Sequence, residues 1–312
     1  MSTPPYYKQN RLKQLRAFCY AARLGSISRA AEQLFLSQPS VSLQIQALER
    51  ELGVELFERR GPRIRLTAQG ESLLELAQPL VQGIDGIAES FATELGDLNS
   101  GEINIAAGES TILYLLPDVI KRFADAYPGV RLKLHNVTGR DGMAMLRADQ
   151  ADFAVGSMLE VPEDIDYRPI FDFKTMLITP LEHPLAGKRA ANIKLQDIEP
   201  HGLILPPRHL ATWRLVEMIF GQHQVSYTVT LEAGGWEVIK KYVELGLGIS
   251  IVTAICLKGD EKIARIPLDR FFPNRSYGVV MRKRKYLSPP AHQFLEMMAP
   301  DFSGQLEKSV SE

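Results

Sequence analysis

Residues 37–44 read SQPSVSLQ, and their side chains are suited to hydrogen bonding with a nucleic-acid duplex. Ser37 is a good N-cap, and Pro39 falls in a first turn where its missing N–H costs nothing. Val41, Ile45, Leu48 and Leu52 then recur at helical spacing. With those four turned inward, Gln38, Ser40, Ser42 and Gln44 occupy the opposite face near the helix start. Short hydroxyl and amide groups placed there can bond base edges and phosphates in a major groove, and the free N–H groups of the first turn add an anion site. Arg59, Arg60, Arg63 and Arg65 follow closely. Guanidinium groups beside such a helix suit phosphate or minor-groove contact.

These residues need elements to hold them. Ser26 or Ser28 can cap a preceding short helix whose Ala30, Ala31 and Leu34 form one apolar face. Beyond Gly53 the pattern becomes extended, with Leu56 and Phe57 before Gly61-Pro62 and Ile64 and Leu66 after it, as in a small hairpin whose tip and flanks carry the arginines. Either half alone reads equally well as a solvated basic turn on an ordinary helical domain. In this order they form a helix-turn-helix followed by a wing. The run from Leu15 to Gly70, with AFCYAARLGSISRAAEQLFLSQPSVSLQIQALERELGVELFERR and the closing LTAQG, resembles the N-terminal winged helix-turn-helix of the LysR-type transcriptional regulators. That resemblance implies that Ser28, Gln38, Pro39, Ser40, Ser42 and Gln44 face DNA and that the wing arginines contact its backbone, with Ser37 capping the reading helix. Leu43 is a departure, because many members carry a basic residue there.

The chain is 312 residues long, enough for two or three domains, and its net charge of −1 hides an asymmetry. Residues 1–70 hold 11 Lys and Arg against 5 Asp and Glu, leaving 25 against 32 for the remainder. The basic part is the part with the DNA-reading pattern. Cys19 and Cys256 are too far apart in sequence for a metal-ligand spacing or a disulfide framework, and read as buried small residues in a reducing compartment. No stretch approaches the roughly 18 uninterrupted apolar residues of a membrane span, and the start MSTPPYYKQN lacks a secretory apolar region, so a cytoplasmic protein without a membrane partner is expected.

From about residue 68 to 100 the spacing predicts a long linker helix. Leu73, Ala77, Leu80, Ile84, Ile87, Phe91, Leu95 and Leu98 lie three and four apart, close to a coiled-coil seam. A helix lying on its own domain would show the same stripe, but no nearby segment is free to cover it, and DNA readers of this kind pair their half-sites as dimers. The resemblance also implies a homodimer, commonly a homotetramer, on double-stranded promoter DNA, with RNA polymerase as a further partner. Pro79 inside the seam, with Gly83 and Gly86 beyond it, predicts a kink near 75–79.

Asn99-Ser100-Gly101 ends this helix, and strand and helix patterns then alternate. Short apolar runs at 103–107, 130–137 and 153–157 enclose helices at 111–126 and 141–147. A second set holds strands at 176–179, 203–205, 227–231 and 249–253 with helices at 211–222 and 236–245, before a strand at 277–281 and a helix at 291–298. This is an α/β domain with a largely parallel sheet, in two lobes with a cleft between them. The expected division is 11–67 for the winged helix-turn-helix, 68–100 for the linker, and 101–302 for the two-lobed domain. Its first lobe is about 101–170 with 276–302 and its second about 171–275. The resemblance implies the same, since the effector half of the family has the two-lobed fold of periplasmic binding proteins. The stretches WEVIKKYVELGLGISIV and YGVVMRKRKYLSPPAHQFLEMMAP most resemble the sulfur-assimilation (CysB-like) subgroup.

Ligands in open α/β sheets sit beyond the carboxyl ends of strands, where helix N-termini present N–H groups. Ser110 and Thr111 follow the first strand, Thr138 and Gly139 the second, and Arg208 and His209 follow a strand of the other lobe, where Gly234-Gly235-Trp236 open another helix. Backbone amides, hydroxyls and an arginine suit a small anionic effector: a carboxylate, sulfate or an acetylated amino acid. Ser110 and Thr138 equally read as N-caps, and Trp236 as core. The sulfur-assimilation regulators have a threonine-rich run where this chain has GEST at 108–111.

Enzyme signals are weak. GESTI at 108–112 lacks the last glycine of a nucleophile elbow, and none of the six histidines follows in a useful order. GLGIS at 246–250 lies between a helix and a strand, the reverse of a dinucleotide fingerprint, and no P-loop, HExxH or metal-ligand cluster is present. The run Arg282-Lys283-Arg284-Lys285 reads as a solvated strand end or as a second DNA patch. No cofactor is expected. The sequence thus describes a ligand-responsive DNA-binding regulator and not an enzyme. The alternative is a small-molecule binding protein or enzyme whose N-terminal helices serve only assembly.

Overall fold

The computed structural model describes residues 10–58, 64–94, 100–300 and 302. By its internal contacts the chain divides into two compact units. The first holds residues 1–98 and 284–292, and the second holds 99–283 and 293–312.

Three helices open the first unit: α1 (Arg11–Leu24), α2 (Ile27–Gln33) and α3 (Gln38–Leu52). Ser26 caps α2 by accepting from the Arg29 N–H, and Ser37 caps α3 by accepting from the Ser40 N–H, both at 3.3 Å. Gly25 and Gly53 end α1 and α3 in the left-handed conformation. Ala17, Phe18, Ala30, Val41, Ile45 and Leu48 close into one core. Leu52, the expected fourth member of the α3 stripe, is 42% exposed instead. Helix α3 stops at the next residue, and Leu56 and Phe57 at the base of the wing fill the core. The wing itself is minimal: Phe57 pairs antiparallel with Leu66, Glu58 N–H donates to Arg65 O at 2.8 Å, and Thr67 N–H donates to Leu56 O at 3.0 Å.

The linker consists of α4 (Ala68–Asp85) and α5 (Ile87–Glu94). Thr67 starts α4, its Oγ1 accepting from Gly70 N–H at 3.0 Å and donating to Glu55 O at 2.7 Å. Helix α4 runs on through Pro79, and the break comes at Gly86. There the Tyr286 ring, from the returning segment, lies so close that a Cβ at Gly86 would stand 2.8 Å from the Tyr286 hydroxyl oxygen. That hydroxyl also meets Ser90 Oγ at 3.0 Å. Of the stripe, Ala77 is buried, whereas Leu80, Ile84, Ile87 and Phe91 are exposed; Leu95 and Leu98 lie outside the described residues.

The second unit contains two lobes. In the first, β1 (Glu102–Ala107) pairs in parallel with β2 (Arg131–Asn136) and β3 (Phe153–Gly156). Helices α6 (Glu109–Tyr114), α7 (Pro117–Ala126) and α8 (Gly139–Arg147) connect these strands. The single helix expected over 111–126 is two, because Pro117 starts a new helix at its first position. The chain leaves this lobe on β4 (Ile165–Phe173). The second lobe holds β5 (Thr175–Pro180), β6 (Gly202–Leu205), α9 (Ala211–Gln222), β7 (Thr228–Glu232), α10 (Trp236–Glu244), β8 (Ser250–Thr253) and β9 (Ile263–Pro267). The return is on β10 (Arg275–Arg282), followed by α11 (Pro289–Met298), whose Phe294 packs on Phe123 and Phe153 of the first lobe.

The sheets are mixed and not largely parallel as expected. Strand β10 runs antiparallel to β3 and β4, β5 runs antiparallel to β8 and β9, and β6–β7 is a parallel pair. Strands β4 and β9 escape the sequence pattern. In β4, Pro169 and alternating charges mask the strand, and Pro is tolerated because β4 lies at the sheet edge. Beside it Gly278 is required: a Cβ there would lie 1.8 Å from Arg168 O, at the register shift of β10 on β4.

Candidate nucleic-acid interface and inter-lobe site

Helix α3 presents an edge defined by its capping. With Val41, Ile45 and Leu48 inward, Gln38, Pro39, Leu43 and Gln46 are exposed, while Ser40, Ser42 and Gln44 are half-buried at the flanks. The Ser37 and Ser40 hydroxyls lie 2.8 Å apart at the cap. Ser28, exposed on α2, donates to the Gln38 side-chain oxygen at 3.3 Å, so two of the sequence-selected residues meet across the turn. A groove of about 640 Å³ opens beside them, lined in part by Ser28, Arg29, Gln38, Ile64 and Arg65. Arg65 is exposed on the wing flank; Arg59, Arg60 and Arg63 lie outside the described residues. Arg29 was missed in the sequence, although a basic residue next to Ser28 on α2 was a usable signal. Its guanidinium donates to Leu24 O at the groove wall. Leu43 is 60% exposed in the middle of the edge, an apolar side chain where a polar contact was expected.

Across the two lobes, the expected residues occupy several different surroundings. Thr138 is the N-cap of α8, accepting from Asp141 N–H at 3.4 Å and donating to Asp141 Oδ2 at 2.7 Å, with exposed Gly139 as the first helical residue. Gly108 is the N-cap of α6, so Ser110 stands one step inside that helix, and Thr111 is buried. Arg208 and His209 are exposed before α9, the Arg208 guanidinium lying 5.1 Å above the Trp213 ring of its own lobe. Trp236 opens α10 and packs half-buried on the cluster containing Ile239 and Val243.

Groups not singled out in the sequence join the lobes. The Tyr114 hydroxyl at the end of α6 donates to Glu237 of α10. Lys240, only 3% exposed, donates to Glu237 Oε1 at 3.0 Å, to Glu261 Oε1 at 2.8 Å and to Cys256 O at 2.8 Å. Glu109 lies against Gly235, whose φ of 83° and close contact (3.2 Å from a Cβ to Glu109 Oε2) both favour glycine. Burial would raise the Glu261 carboxyl, but Lys240 and the Lys258 and Gly259 N–H groups overcome it and hold the pKa at about 2. Burial likewise works against the Lys240 ammonium, and its two carboxylate partners keep it above its ordinary value. Burial raises the Tyr114 hydroxyl, reinforced by donation to Glu237, and pushes the Cys256 thiol up to about 12, which leaves that sulfur a neutral core group.

Deeper between the lobes, the Tyr277 hydroxyl of β10 faces the hydroxyls of Ser110 and Thr253, and burial raises its pKa. Of these, Ser110 was legible in the sequence, whereas Thr253 and Tyr277 lie on two other segments and belong to no local motif that could reveal them. Among the described residues no group of three or more His, Cys, Asp or Glu could hold a metal ion, and no helix is long and apolar enough to cross a membrane.

A helix-turn-helix with a wing, joined by a linker to a two-lobed α/β unit, defines a DNA-binding regulator with an effector domain. Family models agree along the chain: residues 12–71 match the bacterial regulatory helix-turn-helix protein of the LysR family, and residues 96–303 match the LysR substrate binding domain. The chain belongs to the LysR family of bacterial transcriptional regulators. It is 30% identical to a RuBisCO operon transcriptional regulator of Allochromatium vinosum, over 92% of this chain and 95% of that one. It is also 30% identical to the HTH-type transcriptional regulator SsuR of Burkholderia cenocepacia, over 96% and 99%. Its fold is similar to that of a full-length OxyR variant from Pseudomonas aeruginosa, with a TM-score of 0.67 and 24% identity over 93% and 94% of the two chains.

Proposed function

We propose that this protein is a homodimeric, cytoplasmic regulator. The α3 edge and the wing would read a promoter, and an anionic effector held between the lobes would alter that binding. The observation that carries the DNA-reading surface is the groove beside the Ser28–Gln38 contact, open on the exposed edge of α3 and flanked by the Arg65 side of the wing. In this assignment Gln38 reads a base edge, Ser28, Ser37, Pro39, Ser40, Ser42 and Gln44 support or flank it, and Arg65 with Arg59, Arg60 and Arg63 engages phosphates. Exposed Leu80, Ile84, Ile87 and Phe91 support dimerisation through the linker, an apolar stripe that none of the described residues covers. The wing's last bridge at Leu66 and the start of the second compact unit at Asn99 support a domain division at about 67 and 100. The effector would lie where α6 and α8 open toward the second lobe, near Ser110, Thr111, Thr138, Gly139 and Trp236, with Arg208 and His209 at the rim.

The test is a salt titration of binding to a duplex selected from a random-sequence pool. Arg65→Ala should reduce the slope of log affinity against log salt by about one, and Gln38→Ala should lower affinity for the selected site more than for random DNA. Equal affinity of the wild-type protein for selected and random duplexes would overturn the proposal.

A further inference from the structure

Arg275 begins the strand that returns from the second lobe, and its side chain is 94% buried, being 6% exposed. A guanidinium stays charged at any pH a protein experiences, and buried charges are ordinarily matched by an opposite charge. Arg168 on the neighbouring strand, equally buried, follows that rule with Asp166 at 2.9 Å. Arg275 does not. Its Nε and Nη2 donate to a single neutral acceptor, Ser157 Oγ, at 3.2 and 3.0 Å, and no carboxylate among the described residues pairs with it. Ser157 directly follows β3, at the carboxyl end of a parallel strand where ligands of open α/β sheets bind. Tyr277, two residues along β10 and therefore on the same face as Arg275, brings its hydroxyl to Ser110 of α6.

We propose that Arg275 is the cation that binds the effector's anionic group, a carboxylate or an oxoanion, with Ser157 orienting the guanidinium and Ser110 and Tyr277 supplying neutral hydroxyls beside it. The Nε edge is occupied by Ser157, which leaves Nη1 and the outer edge of the fork for the anion. This assignment rests on the anionic-effector function proposed above and names the residue that recognises the charge. It moves the recognising cation from the exposed Arg208 at the rim to a buried site between the lobes.

The experiment is a thermal-shift titration of the full-length protein with sodium sulfate and with sodium acetate, each against sodium chloride at matched ionic strength. Wild-type protein should show a saturable rise in Tm of about 3 °C or more at ten times the half-saturating concentration, with the stronger of the two salts telling oxoanion from carboxylate. Arg275→Met should abolish that rise without lowering the Tm of the unliganded protein, because it removes an unmatched buried charge at similar volume. Arg131→Ala, at a side chain 73% exposed at the start of β2 and outside the proposed site, should keep the response. Should Arg275→Met fail to fold, Ser157→Ala decides: the half-saturating concentration should change at least about fivefold, a hydrogen bond's worth. A wild-type response that survives Arg275→Met, or is unchanged in Ser157→Ala, overturns the role of Arg275 alone. No saturable response to either salt in the wild-type protein overturns the anionic-effector function together with it.

Discussion

Ser28 and Gln38, on consecutive helices, share a hydrogen bond of 3.3 Å from the Ser28 hydroxyl to the Gln38 side-chain oxygen. The contact turns the Gln38 amide along the groove instead of leaving it free to rotate on the exposed edge of α3. Ser28→Ala should therefore weaken specific DNA binding about fivefold, the equivalent of one net hydrogen bond of about 1 kcal/mol, with no fall in Tm. Fluorescence anisotropy with a selected duplex measures it, and an unchanged affinity would remove Ser28 from the reading apparatus.

Gly70 lies under the wing. A Cβ at this position would stand 2.1 Å from the Leu56 carbonyl oxygen, a backbone atom that also accepts from Thr67 N–H. Gly70→Ala gains about 1 kcal/mol of helix propensity in α4 but forces the base of the wing outward, a clash expected to cost more than that. The net outcome is a loss of about 1–2 kcal/mol, read by urea denaturation, together with weaker DNA binding. A more stable Gly70→Ala variant would show that the wing base moves freely.

Leu80, Ile87 and Phe91 are each more than 60% exposed on the linker. Ile87→Asp or Leu80→Asp should shift the protein from dimer to monomer in light scattering while leaving the fold intact, since neither side chain is buried in one chain. A dimer of unchanged stability in both variants would place the interface elsewhere.

Glu261 supplies an acid-sensitive contact in the second lobe. Its carboxyl titrates at about 2 in the folded protein against an ordinary value of 4.5, so its contribution is complete above the ordinary value. That contribution is lost as the pH falls from about 5 toward 2. Glu261→Gln should cost about 2–3 kcal/mol at neutral pH by leaving the buried Lys240 ammonium with Glu237 alone, and should flatten the acid limb of the stability curve. Parallel acid limbs for the two proteins would contradict the assignment.

Elements whose causes are local are legible along the chain. Ser37 and Pro39 start α3, Gly53 stops it, and the period of Val41, Ile45 and Leu48 selects its buried side. Those few residues also set the exposed edge, although Leu52 escaped the pattern because the wing base, a separate segment, fills the core beyond it. Pro79 shows the limit of local rules: α4 runs through it and breaks at Gly86, where the Tyr286 ring, 200 residues along the chain, occupies the space a side chain would need. Likewise β4 was hidden by Pro169, which only an edge position in the sheet tolerates. The inter-lobe groups were decided by tertiary structure alone. Tyr114 reaches Glu237, and Arg275 reaches Ser157, across 123 and 118 residues of sequence. A buried charge is recognisable as unmatched only when every neighbour is known, and no spacing along the chain carries that information.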